Sequence, residues 1–319
     1  MVLLDLRLKK GLLDRTLLIN FQNELLEYKT NFRHTLSILE SEKDRIEISD
    51  VILGLTEKKQ ISLFNDDSLT LDCVLENLLN FKKNNRPLYQ RFNKEINGKL
   101  REFSVPQKPL EVFLKNYVLD IVVQGQCHLQ SHGCENGYSV RDSIKKHIPI
   151  GSILSFDLSN AFRNLSIQYV FDFYYSLILK KTKDRRLSIK TAGFLSTLST
   201  IYYEDNGYAL PQGSILSSKL FNRVLYPIDE AIEYYCDKKN FIYTRWLDDF
   251  NISSKNKNVG EEDLFKTIEI VRDYFPISEK KTYLQREKVV YLLGHKVIGD
   301  RIGLANHKEL ESRKSVKPF

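Results

Sequence analysis

The sequence predicts an α+β fold in which an antiparallel sheet is backed by helices, and three observations carry that expectation. Apolar residues recur at helical spacing in Leu17, Phe21, Leu25 and Tyr28, and again in Leu71, Val74, Leu75, Leu78 and Leu79. The run Phe241-Ile-Tyr-Thr-Arg-Trp-Leu-Asp-Asp-Phe-Asn-Ile-Ser253 places β-favouring residues on both sides of an Asp-Asp pair, which reads as strand, turn, strand. Ile153-Leu-Ser-Phe-Asp157 is an apolar strand ending in an acid, and Ser159 and Asn160 after it are residues that start helices.

In chain order, residues 1 to 90 are Leu-rich and charged, and are expected to form a helical extension, a structural cap in the plainest reading and otherwise an element that binds RNA or mediates assembly. The strand 153 to 157 sets Asp157 at a strand end. Leu210-Pro-Gln-Gly-Ser214 then makes a turn and runs into an amphipathic helix reaching Asn222; Gly213 lets backbone approach a ligand closely, and the Gln212 amide can both donate and accept. The hairpin at 241 to 253 presents Asp248 and Asp249 at its tip. Adjacent carboxylates repel, so a partly buried pair is costly unless a cation neutralises it, and hard oxygen ligands suit Mg²⁺ or Mn²⁺. In-line transfer to a phosphate uses two cations about 4 Å apart. Asp157, Asp248 and Asp249 would supply carboxylates for them from more than one strand. A solvated turn is the plain alternative for an isolated Asp-Asp; the second strand acid and the glycine turn weigh against it.

Asp157-Leu-Ser-Asn-Ala-Phe162, Leu210-Pro-Gln-Gly-Ser214 and Leu247-Asp-Asp249, in that order and with Asp248 standing 91 positions after Asp157, resemble motifs A, B and C of reverse transcriptases. Lys99-Leu-Arg101-Glu-Phe-Ser-Val-Pro106 is similar to the family's fingers motif. Ser131-His-Gly-Cys-Glu-Asn-Gly137 resembles a segment that bacterial retron and group II intron enzymes carry before motif A. Ile277-Ser-Glu-Lys-Lys-Thr282 resembles motif D, and Tyr291-Leu-Leu-Gly-His-Lys-Val297 resembles motif E. The resemblance covers about residues 90 to 300, and is to bacterial members of the retron and phage-defence abortive-infection type.

That resemblance implies a right-hand polymerase. Residues 91–149 with 165–209 would form fingers, 150–297 a palm, 1–90 a helical N-terminal extension and 298–319 a short tail or rudimentary thumb. A minimal or missing thumb is therefore expected, or one supplied by a partner protein or a second copy. It also implies an RNA-directed DNA polymerase that takes deoxynucleotides, an RNA template and nascent DNA, with a dedicated noncoding RNA as template in a retron or anti-phage system. Asp157, Asp248, Asp249 and the Leu158 carbonyl would hold two Mg²⁺ ions, with Mn²⁺ as a substitute. Lys281, with Lys280 beside it, would give a proton to pyrophosphate. Arg101, helped by Lys99, would grip the triphosphate. Phe162 would block a ribose 2′-hydroxyl, Gln212 and Gly213 would contact the nucleotide, and Trp246, Leu247, Leu293 and Gly294 would meet primer and template. Trp246 stands where the family usually has Tyr, and Leu247 where many bacterial members have Ala, which implies altered primer handling. Two further readings remain open: untemplated synthesis primed on a protein hydroxyl, and an RNA-binding scaffold without catalysis. The three acids argue against the scaffold.

Composition agrees. The formal net charge of +7 and a pI near 9.0 fit a polyanionic partner, and Lys180-Lys-Thr-Lys-Asp-Arg-Arg186 is either a template contact or a solvated helix end. No apolar run reaches the ~18 residues that span a bilayer, and there is no signal-peptide core, so a cytoplasmic protein is expected. Cys73, Cys127, Cys134 and Cys236 show no disulfide framework. Cys127, His128, His132 and Cys134 place four soft ligands within eight residues, but their spacing matches no zinc module; buried cysteines with a fingers-loop histidine are expected instead.

Overall fold

The computed structural model describes residues 38–56, 70–96, 98–256 and 259–311. The periodic residues Leu17, Phe21, Leu25 and Tyr28 lie outside them. In chain order the described strands are β1 (Tyr89–Ile96), β2 (Lys99–Pro106), β3 (Ser152–Asp157), β4 (Ile201–Tyr203), β5 (Gly207–Ala209), β6 (Ile242–Trp246), β7 (Asp249–Ser254), β8 (Tyr283–Gln285), β9 (Val289–Leu292), β10 (His295–Ile298) and β11 (Arg301–Leu304). The chain divides into two compact units, Met1–Gln126 with Leu165–Val224, and Cys127–Asn164 with Leu225–Phe319.

In the first unit, Leu71, Val74, Leu75, Leu78 and Leu79 line the buried face of the helix Leu71–Lys83, whose start is closed by Thr70 accepting from the Cys73 amide. Helix Glu42–Thr56 buries Ile48, Val51, Ile52 and Leu55. Strands β1 and β2 form an antiparallel hairpin. Helices Ile167–Thr182 and Arg185–Ser199 pack on each other. The basic run at 180 to 186 is the reversal between them: Lys183 adopts φ +60°, and Asp184 Oδ1 accepts from the Leu187 amide at 2.9 Å.

The second unit is built on a sheet of order β6-β7-β3-β8, with every neighbour antiparallel. Helices Val140–His147 and Tyr226–Lys239 pack on β6, and Glu261–Arg272 packs on Tyr226–Lys239. The first of these helices begins with a capping box between Ser139 and Asp142. His147 at its end is fully buried, with Nδ1 2.7 Å from Ser253 Oγ and Nε2 2.8 Å from Thr244 Oγ1. Burial pushes its pKa down to about 3, so the ring is neutral. Strands β9, β10 and β11 form a second small sheet, and Ile144, Ile153, Val290, Leu292 and Val297 pack together as a core cluster.

Hydrogen bonds and helix packing join two further segments to these units. Residues 127–149 go with the sheet: the Arg245 amide donates to Gln130 O and the His132 amide to Arg245 O, both at 2.8 Å, so Gln130–His132 runs parallel along β6. Residues 210–224 go with the first unit, where the Ser104 amide donates to Gln212 O at 2.7 Å and helix Ile215–Val224 packs on Leu119–Val123 and Ile167–Thr182.

The expectation of buried cysteines is corrected. Cys236 is buried, Cys73 and Cys127 are half-buried, and Cys134 is exposed in a turn at φ +60°. In the second unit, His128 Nε2 meets Glu233 Oε2 at 2.9 Å and His132 stacks on Tyr138 with centroids 4.1 Å apart. No described helix is long and apolar enough to cross a membrane.

Candidate active site

The register of the central sheet builds the site. Asp157 is the last residue of β3 and pairs with Asp249, the first of β7, while Trp246 of β6 also pairs with Asp249. Leu247 and Asp248 are thereby left as a two-residue loop. Carboxylate oxygens of Asp157, Asp248 and Asp249 lie within 4.8 Å of one another, and among the described residues this is the group that could hold a metal ion. Behind the acids, Phe156 and Phe250 stack at 4.8 Å. The Leu158 amide donates to Asp248 O at 3.1 Å and the Ser278 amide to Asp157 O at 2.8 Å, so the end of β3 is gripped on both sides.

Burial, and then the neighbouring Asp248 carboxylate, push the Asp157 pKa up to about 6, against the opposing pull of Lys281. Lys281 Nζ donates to Asp157 Oδ2 at 2.8 Å from the short turn Glu279–Lys281. Burial disfavours its ammonium, but the bond to Asp157 and the charges of Asp249 and Asp248 outweigh that, and its pKa rises. Three carboxylates facing one ammonium keep an excess of negative charge. An all-oxygen donor set of this kind, whose crowded carboxylates a cation would relieve, fits a hard divalent cation such as Mg²⁺ or Mn²⁺.

Phe162 lies half-buried in the short helix Ala161–Asn164 that follows Asp157. Leu293 and Gly294 form the two-residue turn between β9 and β10, with φ of +49° and +74°, as a type I′ turn requires. Trp246 and Leu247 are half-buried beside the acids. The remaining predicted residues belong to the first unit. There Arg101 is exposed on β2 directly opposite Lys94, and on the same face Phe92 stacks on Phe103 at 5.7 Å. Like charges placed opposite one another repel, a cost that an anion bound between them would relieve. Gly213, at φ +118°, lies against it: a Cβ there would come within 3.3 Å of Ser104 O and Val105 Cγ2. The Lys99 side chain lies outside the described residues.

Two residues that the sequence reading passed over stand beside the acids. Arg245 and Asp229 form an ion pair with no solvent exposure. Their signal was a charge interrupting an apolar strand two positions before the loop, and an acid between Ile228 and Ile232 on the apolar side of a helix.

Residues 81–297 match the family model described as reverse transcriptase (RNA-dependent DNA polymerase). Among curated proteins, the chain is 28% identical over 192 residues to Retron Ec86 reverse transcriptase of Escherichia coli, covering 57% of this chain and 54% of that protein. The chain thus matches about half the length of this relative. Among solved structures, apo telomerase from Candida tropicalis is similar at a TM-score of 0.48 and 13% identity over 68% of this chain and 48% of that one. Telomerase from Candida albicans in complex with a TWJ fragment of telomeric RNA is similar at 0.46 and 13%, over 69% and 47%.

Proposed function

Because the chain belongs to the reverse transcriptase (RNA-dependent DNA polymerase) family and carries its α+β polymerase fold, we propose that it adds deoxynucleotides to a primer on an RNA template using two Mg²⁺ ions. The single observation that carries this reading is the convergence of Asp157, Asp248 and Asp249 at one end of the two central strands of the sheet. The 28% identity to a retron enzyme of Escherichia coli supports a bacterial retron setting, and we extend the reading to an anti-phage role, a dedicated noncoding RNA as template and a cytoplasmic location.

In this reading the three acids and the Leu158 carbonyl hold the ions. When bound, such ions neutralise phosphate charge and lower the pKa of the primer 3′-hydroxyl. Lys281 keeps its proton through its pairing with Asp157 and hands it to the departing pyrophosphate. Phe162 excludes a ribose 2′-hydroxyl. Arg101 and Lys99 take the triphosphate, Gln212 and Gly213 the nucleotide, and Trp246, Leu247, Leu293 and Gly294 the primer and template. Asp248→Asn with Asp249→Asn is expected to abolish dNTP incorporation while RNA binding survives; retained incorporation would remove the metal assignment. Purified protein with its bound nucleic acid should lose Mg²⁺-dependent incorporation after ribonuclease. Incorporation that persists, with label fixed to protein, would point to untemplated, protein-primed synthesis instead.

A further inference from the structure

We propose that Arg245 is a positioning residue that sets the geometry of the catalytic loop, acting through the carbonyl of Leu247 and itself oriented by Asp229 and Ser131. Arg245 is the largest fully buried side chain among the described residues. Its Nε donates to Asp229 Oδ1 and its Nη2 to Asp229 Oδ2, both at 2.7 Å, a bidentate pairing that fixes the plane of the guanidinium. The same Nη2 donates to Ser131 Oγ at 2.8 Å, and Nη1 donates to Leu247 O at 2.8 Å. Tyr243 Oη donates to Asp229 Oδ1 at 2.6 Å, so the carboxylate is itself held in place.

Stability alone is a weak reason for this arrangement. Removing two charges from water costs several kcal/mol per ion, and well-packed apolar residues in their place are often as stable or more so. The contact with Leu247 O supplies a better reason. Leu247 adopts φ +53° at the first position of a two-residue hairpin loop, where Gly or Asn is the usual choice. A leucine held there needs its surroundings to impose the conformation. The guanidinium does so by fixing the carbonyl between Leu247 and Asp248, and that peptide determines where the Asp248 carboxylate points relative to Asp157. The loop thus takes its orientation from the helix Tyr226–Lys239, which carries Asp229, and from the strap Gln130–His132 along β6.

The inference rests on the reading of the triad as a divalent-cation site, and the test reads that site directly. Mn²⁺ binding to the full chain is measured by calorimetry, alongside the thermal midpoint and the kcat and KM for incorporation. The double variant Arg245→Met with Asp229→Leu replaces the pair by apolar residues and so is expected to fold with a midpoint near that of the wild type. Its Mn²⁺ Kd is expected to weaken at least tenfold and its kcat to fall by more than its KM changes. Folded double variant that binds Mn²⁺ like the wild type overturns the proposal. If that protein does not fold, Arg245→Lys keeps a cation against Asp229 but lacks the fork that also reaches Leu247 O; a weakened Kd supports the clamp and a wild-type Kd overturns it. Wild-type protein that binds no Mn²⁺ overturns the polymerase reading and the clamp together, whereas equal binding by wild type and variants overturns the clamp alone.

Discussion

Gly133→Ala probes how tightly the catalytic loop is seated. Gly133 lies against the hairpin: a Cβ built on it falls 2.5 Å from Leu247 N, 2.9 Å from Trp246 C and 3.0 Å from Leu247 Cγ. Two of these three atoms are backbone, so no side-chain rotation relieves the clash. Ordinary contact begins near 3.4 Å, so the strap or the loop must move by about 0.9 Å. The strap is tied to β6 through Gln130 and His132, and the loop to Arg245, so neither yields freely. Overpacking of this kind costs about 1–3 kcal/mol. A displacement of about 1 Å among reacting groups costs on the order of 100-fold in rate. The variant is therefore expected to unfold at a lower temperature, to bind Mn²⁺ more weakly and to lose about two decades of kcat. Thermal unfolding, Mn²⁺ titration and single-turnover incorporation on the same preparation give all three. A variant with wild-type Mn²⁺ affinity and wild-type rate would refute the idea that loop placement is set by packing against the strap.

Lys281→Gln removes the ammonium from Asp157 and is expected to lower kcat by about 10²-fold or more with RNA binding retained; an unchanged single-turnover rate would exclude Lys281 from proton transfer. Phe162→Val should let ribonucleotides compete, raising the rNTP-to-dNTP incorporation ratio, and a ratio that does not move would place Phe162 outside the sugar pocket. Stability of the metal-free protein should fall as pH drops from about 6 to 4.5. In that window an unfolded chain protonates His132 and His147, whose folded pKa values are held down to about 4 and about 3 by burial, while the folded protein already carries a proton on Asp157. The unfolded state then binds about one proton more, a loss of about 1.4 kcal/mol per pH unit. Asp157→Asn removes the opposing contribution and should steepen the slope; a urea midpoint that rises on acidification would contradict the sign.

The acids were legible because each carried a local signal. Asp157 closes an apolar run and Asp248-Asp249 interrupts one, and strand ends and turns are read within a window of a few residues. The glycine turn at 210 to 214 was legible for the same reason. What fixes these groups in space was not. Arg245 and Asp229 are 16 positions apart, and Arg245 and Ser131 are 114 apart. The strap that joins 127–149 to the sheet pairs with β6 through one parallel bridge, which leaves no periodicity to read. Cys134 is exposed because the same strap turns outward at φ +60°, a conformation that Cys composition does not announce.

The two hairpin loops of the second unit show how far this goes. Each is a two-residue loop with a leucine at positive φ, Leu247 between β6 and β7 and Leu293 between β9 and β10. Neither sequence looks like a tight turn at its first position, because leucine disfavours that backbone region. In both, a side chain two residues away engages the leucine carbonyl: Arg245 Nη1 at 2.8 Å from Leu247 O, and His295 Nδ1 at 2.9 Å from Leu293 O. At Leu293 the partner is half-exposed and Gly294 follows, so the turn has its own conformational ease. At Leu247 the partner is fully buried and ion-paired, and the next residue, Asp248, is an acid of the triad. Backbone strain that a glycine would relieve thus stands where the same peptide carries an acid of the triad, and a buried, ion-paired guanidinium holds it there.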